Sequence, residues 1–202
     1  MSETPPAQPS TIGEDYTERL VTLEQAGLKR FLPTQAPYHW NLRRLQPGRA
    51  LDVGCGVGRN LAALSPESVG VDHNATSIET ARARGLTAYT DTEFFEEDRF
   101  KPGEFDSMLC AHVLEHLEAD LAGEILKSYL PYVRPGGLVI LICPQEAGYA
   151  SDATHVRFVD FDGLRAHAEA LGVTEVKSYS FPFSRGLGKS FKYNEFVFVG
   201  RC

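Results

Sequence analysis

The stretch Leu51-Asp52-Val53-Gly54-Cys55-Gly56-Val57-Gly58 runs a short apolar segment straight into three glycines at alternate positions. Glycine tolerates positive φ and lets a ligand approach the backbone closely. In an open α/β sheet, ligands bind beyond the carboxyl ends of the strands, and the turn after the first strand is the usual place. A tight turn alone would also use glycines. A dinucleotide fingerprint is spaced G-x-G-x-x-G, with its pyrophosphate on a helix N-terminus. Here the spacing is G-x-G-x-G, and Arg59 stands where that fingerprint has its third glycine. Asp52, two residues before Gly54, would repel a pyrophosphate and favour a ligand bearing positive charge.

Outward from this turn, strands alternate with helices. Arg49–Gly54 reads as the first strand and Asn60–Leu64 as the helix that continues from the loop. Ser68–Asp72 is a second strand, Thr76–Arg84 a helix closed by Gly85, Leu86–Thr90 a third strand and Phe105–Cys110 a fourth. Ala119–Tyr129 is helical and is cut short by Pro131, while Leu138–Cys143 is the most apolar strand. Apolar strands separated by helices imply a parallel sheet covered on both faces. The end differs: after a helix at Asp162–Leu171, strands near Thr174–Phe181 and Tyr193–Val199 follow with no helix between them, so they pair as an antiparallel hairpin. Before the sheet, residues 1–13 read as a disordered tail rich in Pro, Ser and Thr. Asp15–Leu32 reads as an amphipathic helix, and Pro37 opens a second helix through Leu45. Residues 14–202 thus form one domain, with 14–46 as helices covering the site and 49–202 as the core.

Length and composition agree with that architecture. The 202 residues are 43% hydrophobic and 23% charged, and a domain of this size buries roughly 70% of its unfolded surface. No apolar run reaches the ~20 residues of a membrane span, and Met1–Ser10 lacks the basic and apolar regions of a signal peptide. A net charge of −7 argues against nucleic acid as the main partner, because that affinity comes from Lys and Arg. Cys55, Cys110, Cys143 and Cys202 form no CxxC pair, so neither a disulfide framework nor a metal site is expected, and a cytoplasmic location is.

The glycine loop and four further segments resemble the class I S-adenosylmethionine-dependent methyltransferases. Leu51-DVGCGV-Gly58 is similar to that family's first motif and Val69-GVDH-Asn74 to its second. Thr90-DT-Glu93 resembles the segment after its third strand. Phe105-DSMLCAHVLEH-Leu117 and Val133-RPGGLVILIC-Pro144 resemble its fourth- and fifth-strand motifs. The likeness runs from about Tyr38 to Gly200. It implies a Rossmann-like three-layer sandwich, a seven-stranded mostly parallel sheet with an antiparallel last strand, and S-adenosylmethionine as cofactor. A binding protein of this fold without turnover, and an NAD-dependent oxidoreductase, are the alternatives; Asp52 and the glycine spacing speak against the second.

The resemblance also assigns residues. Asp52, Gly54, Cys55, Gly56 and Gly58 would face the cofactor. Asp72, eighteen positions after Gly54, would take both ribose hydroxyls with its two oxygens, unless it only caps the next helix, a task that Thr76 and Glu79 could perform as a capping box. His73 would pack on the adenine. Asp91 would accept from the adenine amino group beside Thr92, or serve as an N-cap. Cys110 lies where the fourth strand meets the cofactor.

The implied reaction is in-line displacement at the sulfonium methyl, for which the protein supplies alignment and excludes water. A base is needed only if the acceptor must lose a proton, and histidine suits that near neutral pH. His112 and His155 are the candidates for acceptor contact or base; His116 resembles a framework residue. Cys110-AH-Val113 replaces the Asn/Asp-Pro-Pro-Phe/Tyr-like motif of enzymes that methylate planar nitrogens, and the paired glutamates of protein arginine methyltransferases are not evident, although Glu115 and Glu118 occur nearby. A small-molecule acceptor follows by elimination. Tyr38, His39 and Trp40 could cover it or belong to the core. Pro182-FSRGLGKSF-Lys192, with Arg185, Lys189 and Lys192 between Phe183 and Phe191, could attract an anionic or aromatic acceptor or remain a solvated loop.

Overall fold

Buried side chains along the central strands alternate between two cores, and this alternation sets the layers. The computed structural model describes residues 35–96 and 99–202. In β4 (Phe105–Ala111) Met108 and Cys110 join one core while Leu109 and Ala111 join the other. In β5 (Val133–Pro144) Val139, Leu141 and Cys143 alternate in the same way with Ile140 and Ile142. Strands apolar on both faces must be covered on both faces.

The sheet comprises seven strands in the order β3-β2-β1-β4-β5-β7-β6. β1 (Ala50–Val53), β2 (Val69–Asp72) and β3 (Ala88–Thr90) run parallel to β4 and β5. β7 (Glu195–Arg201) inserts antiparallel between β5 and β6 (Thr174–Phe181), so β6 is parallel to the rest. The expected hairpin and mostly parallel sheet are therefore both present. On one face lie α3 (Asp91–Phe95), α4 (Ala119–Tyr129) and α6 (Phe161–Ala170), packed through Phe94, Leu126 and Leu164. On the other lie α1 (Ala36–Arg44), through Leu42, and α2 (Ala75–Ala83), through Ile78 and Ala81. A short α5 (Glu146–Tyr149) follows β5.

Local chemistry explains most boundaries. Pro37 sits in the first turn of α1, where a missing N–H costs nothing. α4 ends at Tyr129 because Pro131 cannot continue it, and a single 3-10 turn, Leu130–Tyr132, follows. Asp160 caps α6 by accepting from the N–H groups of Asp162 and Gly163.

Two local expectations are corrected. The segment Asn60–Leu64 is no continuing helix but one 3-10 turn, Leu61–Ala63. Pro66 disfavours helical Ser65, and Leu64 is already extended. The capping box is not at Thr76 and Glu79. Asn74 caps α2, accepting from Ser77 N at 3.0 Å, and the reciprocal pair occurs instead between Thr90 and Glu93 at the start of α3. The proposed tail and the helix at Asp15–Leu32 fall outside the described residues. Among the described residues no helix is long and apolar enough to cross a membrane, and all four cysteines are free.

Candidate active site

The carboxyl ends of β1, β2 and β3 carry one carboxylate each. Asp72 closes β2 and ties two loops together: its Oδ2 accepts from Gly56 N and its Oδ1 from Asn74 N, both at 2.8 Å. Each oxygen keeps a second lone-pair direction. The two N–H bonds also hold the tip of the glycine loop against β2. Gly54 has φ +76°, and a Cβ there would lie 2.2 Å from Val113 Cγ2, so the loop closes only without a side chain.

Asp52 is buried behind this loop at 1% exposure. Its Oδ2 has no hydrogen-bond partner among the described residues. Burial, reinforced by the neighbouring Asp72 carboxylate, pushes its carboxyl up to about 7. Burial also raises Asp72, against the pull of its N–H donors, and Asp91 adds to the rise. Asp91 is not an N-cap, since Thr90 holds that position; Asp91 Oδ1 accepts from Tyr129 OH at 2.9 Å. The three acids 52, 72 and 91 thus form one field of negative charge. This crevice suits a cation with hydroxyl and amino groups to be bound, and an orphaned buried oxygen at Asp52 is what an ammonium would satisfy. It does not suit a pyrophosphate, which would further lack the helix N-terminus that it needs, since only the 3-10 turn follows the loop.

The remaining residues expected near the cofactor are placed differently from one another. Cys55 and Gly56 lie in the loop; Gly58 follows at φ +83°. His73 is exposed beside Asp72, its Nδ1 3.5 Å from Oδ1, and Thr92 is exposed on α3. The Cys110 side chain is fully buried in the core, so only its backbone could face a ligand.

At the carboxyl ends of β4 and β5 the chemistry changes from acids alone to histidine–glutamate pairs. His112 follows β4 with φ +60°, a conformation that costs a residue with a side chain about 1–2 kcal/mol; its N–H is held by Ile142 O at 2.9 Å. The strain turns the imidazole outward between two carboxylates, with Nε2 2.9 Å from Glu195 Oε1 and Nδ1 3.3 Å from Glu115 Oε1. Desolvation pulls His112 down, but the two glutamates outweigh it and push it up to about 10. Water screens part of this, since the side chain is 42% exposed. His112, Glu195, Tyr38, Asn41, Asn60 and Ala111 line a narrow recess of about 10 Å³. Tyr38 donates to Tyr193 O at 2.7 Å and packs edge-on against Phe181, whereas Trp40 is exposed over Phe181. In the loop after β6, Arg185 is engaged by Glu146, with Nη1 to Oε2 at 2.8 Å.

His155 stands deeper. Its Nδ1 lies 2.7 Å from Tyr149 O, and its Nε2 4.0 Å from Glu115 Oε1. Glu115 is fully buried, and among the described residues its oxygens make no hydrogen bond of good geometry; its charge is met by the His112 ring, 3.3 Å from Oε1. Burial alone would raise its carboxyl; the His112 imidazole beside it brings it below the ordinary value. Glu115 and Glu195 were not singled out from sequence as site residues. The H-x-x-E-H spacing of His112, Glu115 and His116 was the available signal for the first; Glu195, 83 residues from His112 in the chain, offered none.

Such a sheet order, with a glycine loop and an acidic crevice at its carboxyl edge, defines an adenosyl-cofactor fold of the class I type. Residues 22–176 match the family described as a methyltransferase domain, and the chain belongs to that family: it is a class I S-adenosylmethionine-dependent methyltransferase, with S-adenosylmethionine as cofactor. Ubiquinone biosynthesis O-methyltransferase of Xanthomonas campestris pv. campestris strain B100 is 30% identical over 104 residues, 47% of this chain and 43% of that protein. The Xanthomonas euvesicatoria protein of that name is 26% identical over 125 residues, 58% of this chain and 52% of its own length. The chain thus spans about half the length of the curated relatives it matches. In fold it is similar to a SAM-dependent methyltransferase from Archaeoglobus fulgidus, with TM-score 0.68 at 18% identity over 93% of this chain and 100% of that one. Magnesium protoporphyrin IX methyltransferase from Synechocystis PCC 6803, solved with bound SAH, gives TM-score 0.66 at 14% identity over 95% and 96%.

Proposed function

We propose that the chain transfers a methyl group from S-adenosylmethionine to an oxygen of a small-molecule acceptor that sits against His112 and Glu195 at the mouth of the recess, which itself has room for about one water. The observation that carries this is the adjacency of two chemically different crevices along one sheet edge: carboxylates at β1–β3, and a polar recess at β4 and β7. The curated relatives bear the name of O-methyltransferases, which supports oxygen as the atom attacked.

S-adenosylmethionine, when bound, supplies an electrophilic methyl on a positively charged sulfur. Asp72 would hold the ribose hydroxyls, Asp91 the adenine amino group, and Asp52 would balance the positive charge beside the loop. His73 and Thr92 would flank the adenine. Tyr38 and Asn41 on α1 would wall the acceptor in and exclude water, so that alignment does most of the catalytic work. His112 contacts the acceptor rather than serving as its base, because both its ring nitrogens already face carboxylates. His155 lies behind Glu115 and would act on the acceptor only through it. Arg185 is paired, which leaves Lys189 and Lys192 to favour an anionic group; an aromatic acceptor fits the Tyr38–Phe181 wall.

The test is calorimetry followed by turnover. S-adenosylhomocysteine should bind, and a panel of phenols and hydroxybenzoates incubated with methyl-labelled cofactor should give a labelled ether for at least one member. Binding of NAD with no response to either adenosyl compound would overturn the assignment. Labelled N-methyl products from an amine panel, with none from the phenols, would overturn the choice of oxygen.

A further inference from the structure

We infer that Tyr129 is a positioning residue of the cofactor site: its buried hydroxyl pins the Asp91 carboxylate where it accepts from the exocyclic amino group of the purine, and so makes that amino group a condition of tight binding. That role rests on the reading that gives the adenine amino group to Asp91, and it adds a residue that itself touches no ligand.

Tyr129 is the last residue of α4 and is 3% exposed. Its hydroxyl nevertheless reaches the end of β3, donating to Asp91 Oδ1 at 2.9 Å across 38 residues of chain. The ring has little freedom to turn away. Phe94 meets it edge-on with centroids 5.2 Å apart, and Phe95 lies tilted against it at 4.9 Å. The main chain of Asp91 is fixed independently, by the reciprocal cap between Thr90 and Glu93 on either side of it. Carboxylate and backbone are thus both held before any ligand arrives, which removes an ordering cost from binding.

The bond has a direction. Burial, with the Asp91 charge next in strength, holds the Tyr129 phenol far above its ordinary pKa, so the hydroxyl keeps its hydrogen and Asp91 is always the acceptor. The charge of Asp91 is felt in turn at Asp72 and at Cys55 in the glycine loop, so it reaches into the crevice that these two define. An ionised carboxylate offers lone pairs alone.

An adenine amino group has hydrogens for those lone pairs. A hypoxanthine ring sets an oxygen in the same place, lone pair against lone pair, and carries its hydrogen on the ring nitrogen alongside. A carboxylate free to pivot would follow that hydrogen; Asp91, tethered through Oδ1, stays with the amino position. A deamino purine leaves the carboxylate without its partner, an unmade bond at a site that binding has dried.

The experiment is calorimetry of three ligands on wild type and Tyr129→Phe, with circular dichroism and thermal unfolding measured alongside. The ligands are S-adenosylhomocysteine, S-inosylhomocysteine and the deamino purine analogue of the same thioether. Wild type should prefer S-adenosylhomocysteine over each of the others by about tenfold or more. Tyr129→Phe keeps the ring and loses the donor. It should bind S-adenosylhomocysteine about fivefold more weakly and the deamino analogue within about twofold of wild type. Its discrimination against S-inosylhomocysteine should narrow by about fivefold or more. If Tyr129→Phe does not fold, Tyr129→Met, which fills the space without a donor, carries the comparison. Equal weakening of all three ligands would reduce Tyr129 to packing and overturn the inference, as would unchanged S-adenosylhomocysteine affinity. A wild type that binds S-adenosylhomocysteine no better than its deamino analogue would instead overturn the assignment of the amino group to Asp91, and the role of Tyr129 with it.

Discussion

The two halves of the sheet's carboxyl edge are built by different means. Over β1–β3 the site is made of backbone: a glycine loop at positive φ, two N–H groups clamping Asp72, and carboxylates spaced one per strand. Over β4, β5 and β7 it is made of side chains from distant segments, His112 with Glu195 and Glu115 with His155. Backbone-built sites tolerate little because each replacement displaces the chain itself. Side-chain sites can be altered one contact at a time, which suits the half that must fit an acceptor.

Gly54→Ala is the harshest probe of that contrast. A methyl 2.2 Å from Val113, added to a left-handed residue, should lower unfolding stability by roughly 2–4 kcal/mol and take cofactor binding with it. Urea unfolding of Gly54→Ala and of Gly54→Ala/Val113→Ala separates the two causes, since the second variant recovers the clash and not the strain. Equal stability of wild type and Gly54→Ala would show that the loop is not braced as described. Asp72→Ala comes next: loss of a charged acceptor should weaken S-adenosylhomocysteine by about 1.5–3 kcal/mol, or about ten- to a hundredfold, seen by calorimetry.

On the side-chain half, Glu195→Gln should leave S-adenosylhomocysteine affinity within about twofold, yet reduce methyl transfer roughly tenfold, the cost of one ion pair's worth of positioning. Equal losses in both assays would mean that the halves are not separable. The gentlest probe is pH. Asp52 has its carboxyl raised in the fold to about 7, so the folded state holds a proton that the unfolded state has lost between about pH 4 and 7. Its contribution to stability therefore falls as pH rises through that window. Asp52→Asn should be more stable than wild type at pH 8, with the gain vanishing near pH 4, and it should bind the cofactor product less well at pH 8. Parallel pH–stability curves for the two proteins would refute the burial account.

The same contrast explains what could be read from the chain alone. The extents of α4 and β6, and the acidic end of β2, follow from neighbours in sequence: Pro131 two residues past α4, the Gly172 turn before β6, and the apolar Val69–Val71 that runs into Asp72. The helix expected at Asn60–Leu64 shrank to one turn because Ser65-Pro66 overrides the apolar pattern. β7 begins at Glu195 rather than Tyr193 because Asn194 spends its side chain on the turn, accepting from Phe183 N and donating to Gln145. No local pattern encodes the meeting of His112 with Glu195. It arises only when a strand arrives from the far end of the chain.

That late arrival bears on biosynthesis. β7 is an interior strand, flanked by β5 and β6, and it brings Glu195 to the edge where β5 ends at Pro144. During translation the cofactor crevice can be assembled well before β7 leaves the ribosome, but β6 has no neighbour in this sheet to pair with until then. A nascent chain stalled before Glu195 would expose an unzipped groove beside β5, a ready surface for chaperones and for mispairing. Quality control of this enzyme thus falls on the codons of β7.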